Sequence, residues 1–309
     1  MEVNDPRRTD LYASTSTFLR QHGLHPRPSA YLADGYVDLC LRAWPGATGA
    51  PLHLATQWTL WTWRADGVLD QELKGASHRD ISVLVAQLID MLDETYPPAP
   101  ADHPVVRALA DLVERTRLTM PDWWWARYRT GVETWVLAAA DKLQLFVQPG
   151  RTPTLREYQM LRPADGGMLL AAMWCELAEQ VVTPDWHDPL VQSLLAAFST
   201  IGCLTNDLAA ASGDLFNAVD ALAAAQGLTP ALAWERVDRV LRAEVSRFRW
   251  VYFALQEFAA GTSATGTGLA VDTARFAQSL DLFREELTEW TRTSSRYVLA
   301  PPASTVGAV

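Results

Sequence analysis

Apolar residues recur along most of this chain at spacings of three and four, the period that lines one face of an α-helix. No stretch alternates with a period of two for long enough to make a strand. Taken in order, the pattern predicts helices over residues 31–43, 53–73, 80–92, 105–118, 121–146, 154–178, 189–214, 229–258 and 271–297. The breakers fall between them: Pro45-Gly46, Pro97-Pro98-Ala99-Pro100, Pro149-Gly150 and the glycine-rich loop Gly261–Gly268. Pro163 and Gly166-Gly167 interrupt the sixth helix, where a helix interior should kink or break. Residues 1–30 are polar and broken by Pro6, Pro26 and Pro28, so they read as a flexible arm with a short helix near Thr15–Gln21. Residues 300–309, with Pro301-Pro302, read as a tail. The expectation is an all-α fold with a single domain over 31–299.

Polar residues interrupt the apolar faces at two places that matter. In Trp61-Thr62-Trp63-Arg64-Ala65-Asp66-Gly67-Val68-Leu69-Asp70, Asp66 and Asp70 lie one turn apart and share a stripe. In Leu204-Thr205-Asn206-Asp207-Leu208-Ala209-Ala210-Ala211-Ser212-Gly213-Asp214, a second stripe carries Asn206, Ala210 and Asp214. Two carboxylates one turn apart can reach a common cation, and oxygen-only donors favour magnesium or manganese over zinc. By itself an Asp-x-x-x-Asp spacing is more often a solvated helix face. Trp63 changes that reading, because an indole on the same stripe as both acids suits a pocket mouth better than a wet surface. Asp207 reads either as a surface acid or as a group supporting the site.

Composition narrows the class. With 26 Lys plus Arg against 36 Asp plus Glu, the formal charge is −10, which argues against a nucleic-acid partner. The three cysteines, Cys40, Cys175 and Cys203, have no paired metal spacing, and their odd number speaks against a disulfide framework. The opening Met1-Glu2-Val3-Asn4-Asp5 is unlike a signal peptide, and no apolar run approaches about 18 residues. A cytoplasmic protein without stable membrane insertion is expected, as monomer or homodimer. Tryptophan is the outlier at 13 residues. Each buried indole N–H needs a partner, so the excess fits either a Trp-rich core or a Trp-lined pocket.

These motifs, in this order, resemble those of the bacterial class I terpene synthases. That family pairs an Asp-Asp-x-x-Asp motif with an Asn-Asp-x-x-Ser-x-x-x-Glu motif across a central cavity in an all-α, single-domain helical bundle. The resemblance implies that Asp66 and Asp70 are metal ligands, with Gly67 replacing the second aspartate, and that Asn206 and Asp214 are ligands opposite them. Ala210 stands where the family has Ser or Thr, and Asp214 where it has Glu. Arg162 resembles the diphosphate sensor, Asp165 and Gly166 the linker and effector positions at the helix break, and Arg296 with Tyr297 the C-terminal pair.

The same resemblance implies Mg2+, three ions in the family with Mn2+ as a substitute, and a prenyl diphosphate substrate, farnesyl or geranylgeranyl diphosphate. The metals would activate the leaving group while Arg162, Arg296 and Tyr297 hydrogen-bond its oxygens. An apolar lining would hide the allylic cation from water, with Trp63, Trp58 and Trp290 as pocket candidates beside Trp123, Trp124, Trp135 and Trp250. Two alternatives remain open on the residues alone. One is a prenyl-diphosphate synthase; the other is a helical isoprenoid-binding protein whose turnover is impaired by Gly67, Ala210 and Asp214.

Overall fold

The computed structural model describes residues 5–181, 183, 185–210, 215–262, 268–294 and 297. Among them every regular element is helical. The chain begins with α1 (Pro6–His22), where a flexible arm with one short helix was expected. Asp5 caps it by accepting from the Arg7 N–H, Pro6 occupies the first turn, and Gly23 ends it at φ 64°. Leu11 and Leu19 are fully buried in the main core, so this segment is part of the bundle and the arm reading is corrected.

The expected helix over 31–43 is two, α2 (Pro28–Leu32) and α3 (Tyr36–Ala43), because Gly35 at φ 86° separates them. Then follow α4 (Gly49–Gly67), α5 (His78–Leu92), α6 (Pro104–Thr119) and α7 (Asp122–Lys142). Both α4 and α7 loosen at their C-termini into a π-helical turn, Val68–Glu72 and Leu143–Val147 respectively. Single π turns of this kind often sit at functional sites. Here both lie at the rim of the same cavity.

The expected break in residues 154–178 falls at the glycine pair alone. Helix α8 (Leu155–Asp165) runs through Pro163 and stops at Gly166-Gly167, and α9 (Met168–Glu179) restarts beyond it. Gly167 adopts φ 64°, the left-handed region that costs a glycine little. At Gly166 a Cβ would lie 2.3 Å from Cys203 Sγ, so only glycine lets the break close against its neighbour. Helix α10 (Pro189–Ala210) follows; α11 (Ala218–Gln226), which the periodicity did not reveal, precedes α12 (Pro230–Thr262) and α13 (Gly268–Thr293).

Helix α4 is the hub: Leu52, Leu54, Ala55, Trp58, Leu60 and Trp61 are all buried, and it packs on α1, α6 and α9. Helix α10 lies against α9, α12 and α13, and α13 closes onto α3. By length and composition α10 could cross a membrane, yet 61% of its most apolar window is buried inside the bundle, as befits a core helix.

Indoles supply much of the core, and several have their N–H satisfied there. Trp58 Nε1 donates to Thr116 Oγ1 at 2.8 Å, Trp61 Nε1 to the Val105 carbonyl at 2.8 Å and Trp124 Nε1 to Glu176 at 2.7 Å.

Candidate functional site

A cavity of about 580 Å³ opens between the C-terminal ends of α4 and α7, the α8–α9 break, the C-terminal half of α10 and the end of α13. Asp66, Asp70, Arg162, Asp165, Gly166, Asn206, Ala210 and Tyr297 all line it. Residues drawn from distant parts of the sequence therefore meet at one opening. Arg296 and Asp214 lie outside the described residues, as do Ser212 and Gly213.

The π turn after α4 brings Asp70 round beside Asp66, and both face the ammonium of Lys142. Its Nζ lies 2.8 Å from Asp70 Oδ2, 2.8 Å from Asp165 Oδ1 and 3.6 Å from Asp66 Oδ1. Burial pushes the Asp70 carboxyl up to about 7, with Lys142 pulling against that rise and Asp66 and Asp165 adding to it.

Lys142 was not foreseen in the sequence. The signal was its position: Val132, Trp135 and Ala139 occupy the same buried stripe of α7, one turn apart, and a lysine continuing that stripe must find a carboxylate partner.

Across the break, Arg162 is buried and held on three sides. Its Nη1 donates to Asp165 Oδ2 at 2.8 Å, and its Nη2 donates to Asp207 Oδ1 at 2.6 Å and to Asn206 Oδ1 at 2.9 Å. Burial disfavours its charge, but Asp207, Cys203 and Asp165 outweigh that and hold it protonated well above the ordinary arginine range. Asp207 is fully buried and also accepts from Tyr158 Oη at 2.5 Å and the Ala218 N–H at 3.1 Å. The surface-acid reading of Asp207 is thus excluded, and it anchors Arg162. Asn206 Nδ2 in turn donates to Tyr297 Oη at 2.6 Å, linking α10 to the end of the described chain.

The wall behind these polar groups is aromatic and aliphatic: Trp63, Trp135, Trp174, Met168, Phe283 and Leu287. Trp63 lines the cavity, its ring tilted against those of Tyr36 and Trp290 with centroids 5.0 and 4.9 Å away. Two other pocket candidates are corrected. Trp58 is wholly buried in the α4–α6–α7 core, and Trp290 sits behind Trp63 with its Nε1 donating to the Asp34 carbonyl at 2.7 Å. Trp124 is core, while Trp123 and Trp250 are on the outside at 48% and 80% exposure. Trp174 was missed because it lies inside the apolar run Met168–Cys175, whose residues do not mark which side faces the cavity.

Among the described residues no group of three or more His, Cys, Asp and Glu is arranged to hold a metal ion. The carboxylates of Asp66, Asp70 and Asp165 and the amide oxygen of Asn206 still fit a hard divalent cation in kind, and Asp70 Oδ1 is buried with no hydrogen-bond partner.

A profile of terpene synthase family 2, C-terminal metal binding, matches residues 57–247. A (+)-T-muurolol synthase of Roseiflexus castenholzii, which cyclises (2E,6E)-farnesyl diphosphate, is 31% identical over 175 residues, covering 56% of this chain. The matched part is about half of that relative, 53% of its length. Pentalenene synthase of Streptomyces exfoliatus is 23% identical over 86% of this chain and 80% of its own length. The crystal structure of linalool/nerolidol synthase from Streptomyces clavuligerus, in complex with 2-fluorogeranyl diphosphate, superposes with a TM-score of 0.79. That superposition covers 95% of this chain and 96% of the other at 24% identity, where likeness speaks for the fold.

Proposed function

The chain belongs to terpene synthase family 2 and is a class I terpene synthase, and on that premise we propose that it ionises farnesyl or geranylgeranyl diphosphate in the cavity and cyclises the resulting allylic cation. The observation that carries the proposal is convergence: Asp66, Asp70, Arg162, Asn206 and Tyr297, from distant parts of the chain, ring the mouth of one cavity whose wall is Trp63, Trp135, Trp174 and Phe283.

Divalent metal, in this reading Mg2+ with three ions and Mn2+ as a substitute, would be held by Asp66, Asp70 and Asn206, together with Asp214. When bound it supplies charge neutralisation for the diphosphate leaving group.

The remaining chemistry belongs to side chains. The Arg162 guanidinium and the Tyr297 hydroxyl, with Arg296, donate to diphosphate oxygens as negative charge builds on them. For Arg162 this means exchanging a contact to Asn206 or Asp165 for the substrate, which couples arrival of the diphosphate to the α8–α9 break. Gly166 and Asp165 lie at that break beside the cavity, so a small movement there is felt by both. Beyond the mouth, the indoles present π faces that stabilise cationic charge without bonding to it, and the apolar wall excludes water until a proton is lost. The enzyme would work as a monomer or homodimer.

Incubation with geranyl, farnesyl and geranylgeranyl diphosphate in Mg2+, followed by gas chromatography with mass detection, tests this reading. A hydrocarbon or alcohol product from one of the longer two is expected. Product only when isopentenyl diphosphate is added would favour a chain-elongating enzyme, and tight binding without product a protein that has lost turnover.

A further inference from the structure

The ammonium of Lys142 occupies the place between the two halves of the acidic rim. Its side chain is 6% exposed and is carried on the last residue of α7, so that helix holds the charge beside the rim. Among the described residues, Lys142 and Arg162 are cations that Asp66, Asp70, Asp165 and Asp207 face. Arg162 is committed to Asp165, Asp207 and Asn206, leaving Asp70 Oδ2 to Lys142. The same Asp70 carboxylate is one that a divalent ion would need.

Resting on the reading of this cavity as a metal and diphosphate site, we infer that Lys142 is a built-in competitor for the metal at Asp70, so that divalent metal loads fully only when diphosphate arrives with it. A divalent ion seated on Asp66 and Asp70 shares their carboxylates with a positive charge that the protein cannot move far away, and the two repel in a poorly solvated site. The oxygens of a diphosphate accept from the ammonium and bind the metal at once, so its arrival turns that repulsion into a shared contact. Metal and diphosphate then strengthen each other's binding by the same factor. Lys142 is in this sense a positioning residue: it acts through Asp70 and sets the order in which the site fills, keeping the rim closed to metal alone.

The test is Mn2+ binding to the full-length enzyme without substrate, followed by calorimetry or by the free-ion electron paramagnetic resonance signal, in wild type, Lys142→Met and Lys142→Arg. Lys142→Met should bind Mn2+ about 10-fold more tightly than wild type, a typical size for one coupling between sites. Lys142→Arg keeps the charge and should bind as wild type does. Inorganic diphosphate should tighten Mn2+ binding by a larger factor in wild type than in Lys142→Met. Equal or weaker Mn2+ binding by Lys142→Met, or an unchanged diphosphate effect, would overturn the inference. If Lys142→Met melts below the working temperature, its Tm gives the same answer: Mn2+ alone must raise it by more than it raises wild type, and an equal rise overturns the competition. Absence of Mn2+ binding to wild type even with diphosphate would overturn the reading of the cavity itself, and the competition with it.

Discussion

Three groups at the mouth of the cavity are tied to one another: Arg162 donates to the amide oxygen of Asn206, and Asn206 donates to the hydroxyl of Tyr297. Arg162→Ala would leave Asp165 and Asp207 buried without their shared cation, and unfolding free energy should fall by about 3–5 kcal/mol in denaturant titration. Asp66 is different, since it lies at the rim and its side chain is 21% exposed. For Asp66→Ala the expectation is a turnover loss on the order of 100-fold or more, because even supporting groups of a metal site cost 10–100-fold, with Tm little changed. Near-wild-type product formation would remove Asp66 from the site.

At this scale the acidic and basic motif residues were legible because their chemistry is unusual on a helix face. Lys142 and Trp174 were not, since a lysine near Asp141 reads as ordinary surface charge and an indole in an apolar run reads as core.

The helix break shows how one element positions the site. Helix α8 is fixed at its start by a capping box, in which Thr154 Oγ1 accepts from the Glu157 N–H and Glu157 accepts from the Thr154 N–H. Thr154→Ala should cost about 1 kcal/mol, measurable by thermal melting. Hydrogen bonds from Arg151 and then from Thr154 hold the Glu157 carboxyl down at about 2, against its usual 4.5. A carboxyl lowered in the folded state stabilises while it is ionised, so its contribution is complete above pH 4.5 and is lost as pH falls through about 2. The Tm gap between wild type and Glu157→Gln should therefore hold steady above that range and close below it.

At the other end of α8, Gly166→Ala would drive a Cβ to 2.3 Å from Cys203 Sγ. Overpacking of that kind costs about 1–3 kcal/mol. Placing Gly166→Ala in a Cys203→Ala background should restore most of the loss; no restoration would mean the backbone of Gly166, and not its missing side chain, is what the break needs. Sequence located this break to within a few residues but expected Pro163 to take part in it. Pro163 forfeits a hydrogen bond to the Gln159 carbonyl, yet α8 continues past it to Asp165, and the glycine pair ends the helix.

Across the whole molecule the helical period was enough to foresee an all-α bundle, because amphipathic helices of this length can only bury their faces against one another. It underestimated α1, whose polar sequence hides the few residues, Leu11, Phe18 and Leu19, that bind it to the core. It also missed α11, a short alanine-rich segment with no marked polar face. What the bundle achieves as a unit is to bring α4, the α8–α9 break, α10 and α13 to one opening, with carboxylates at the mouth and indoles behind. The most direct measurement is release of inorganic diphosphate from farnesyl and geranylgeranyl diphosphate, without isopentenyl diphosphate, by wild type and Asp66→Ala at matched concentrations with Mg2+ and with chelator. Release by wild type in Mg2+, lost with chelator and lost in Asp66→Ala, is the expected result. Release that persists in chelator, or that Asp66→Ala supports at the wild-type rate, would contradict ionisation at this cavity.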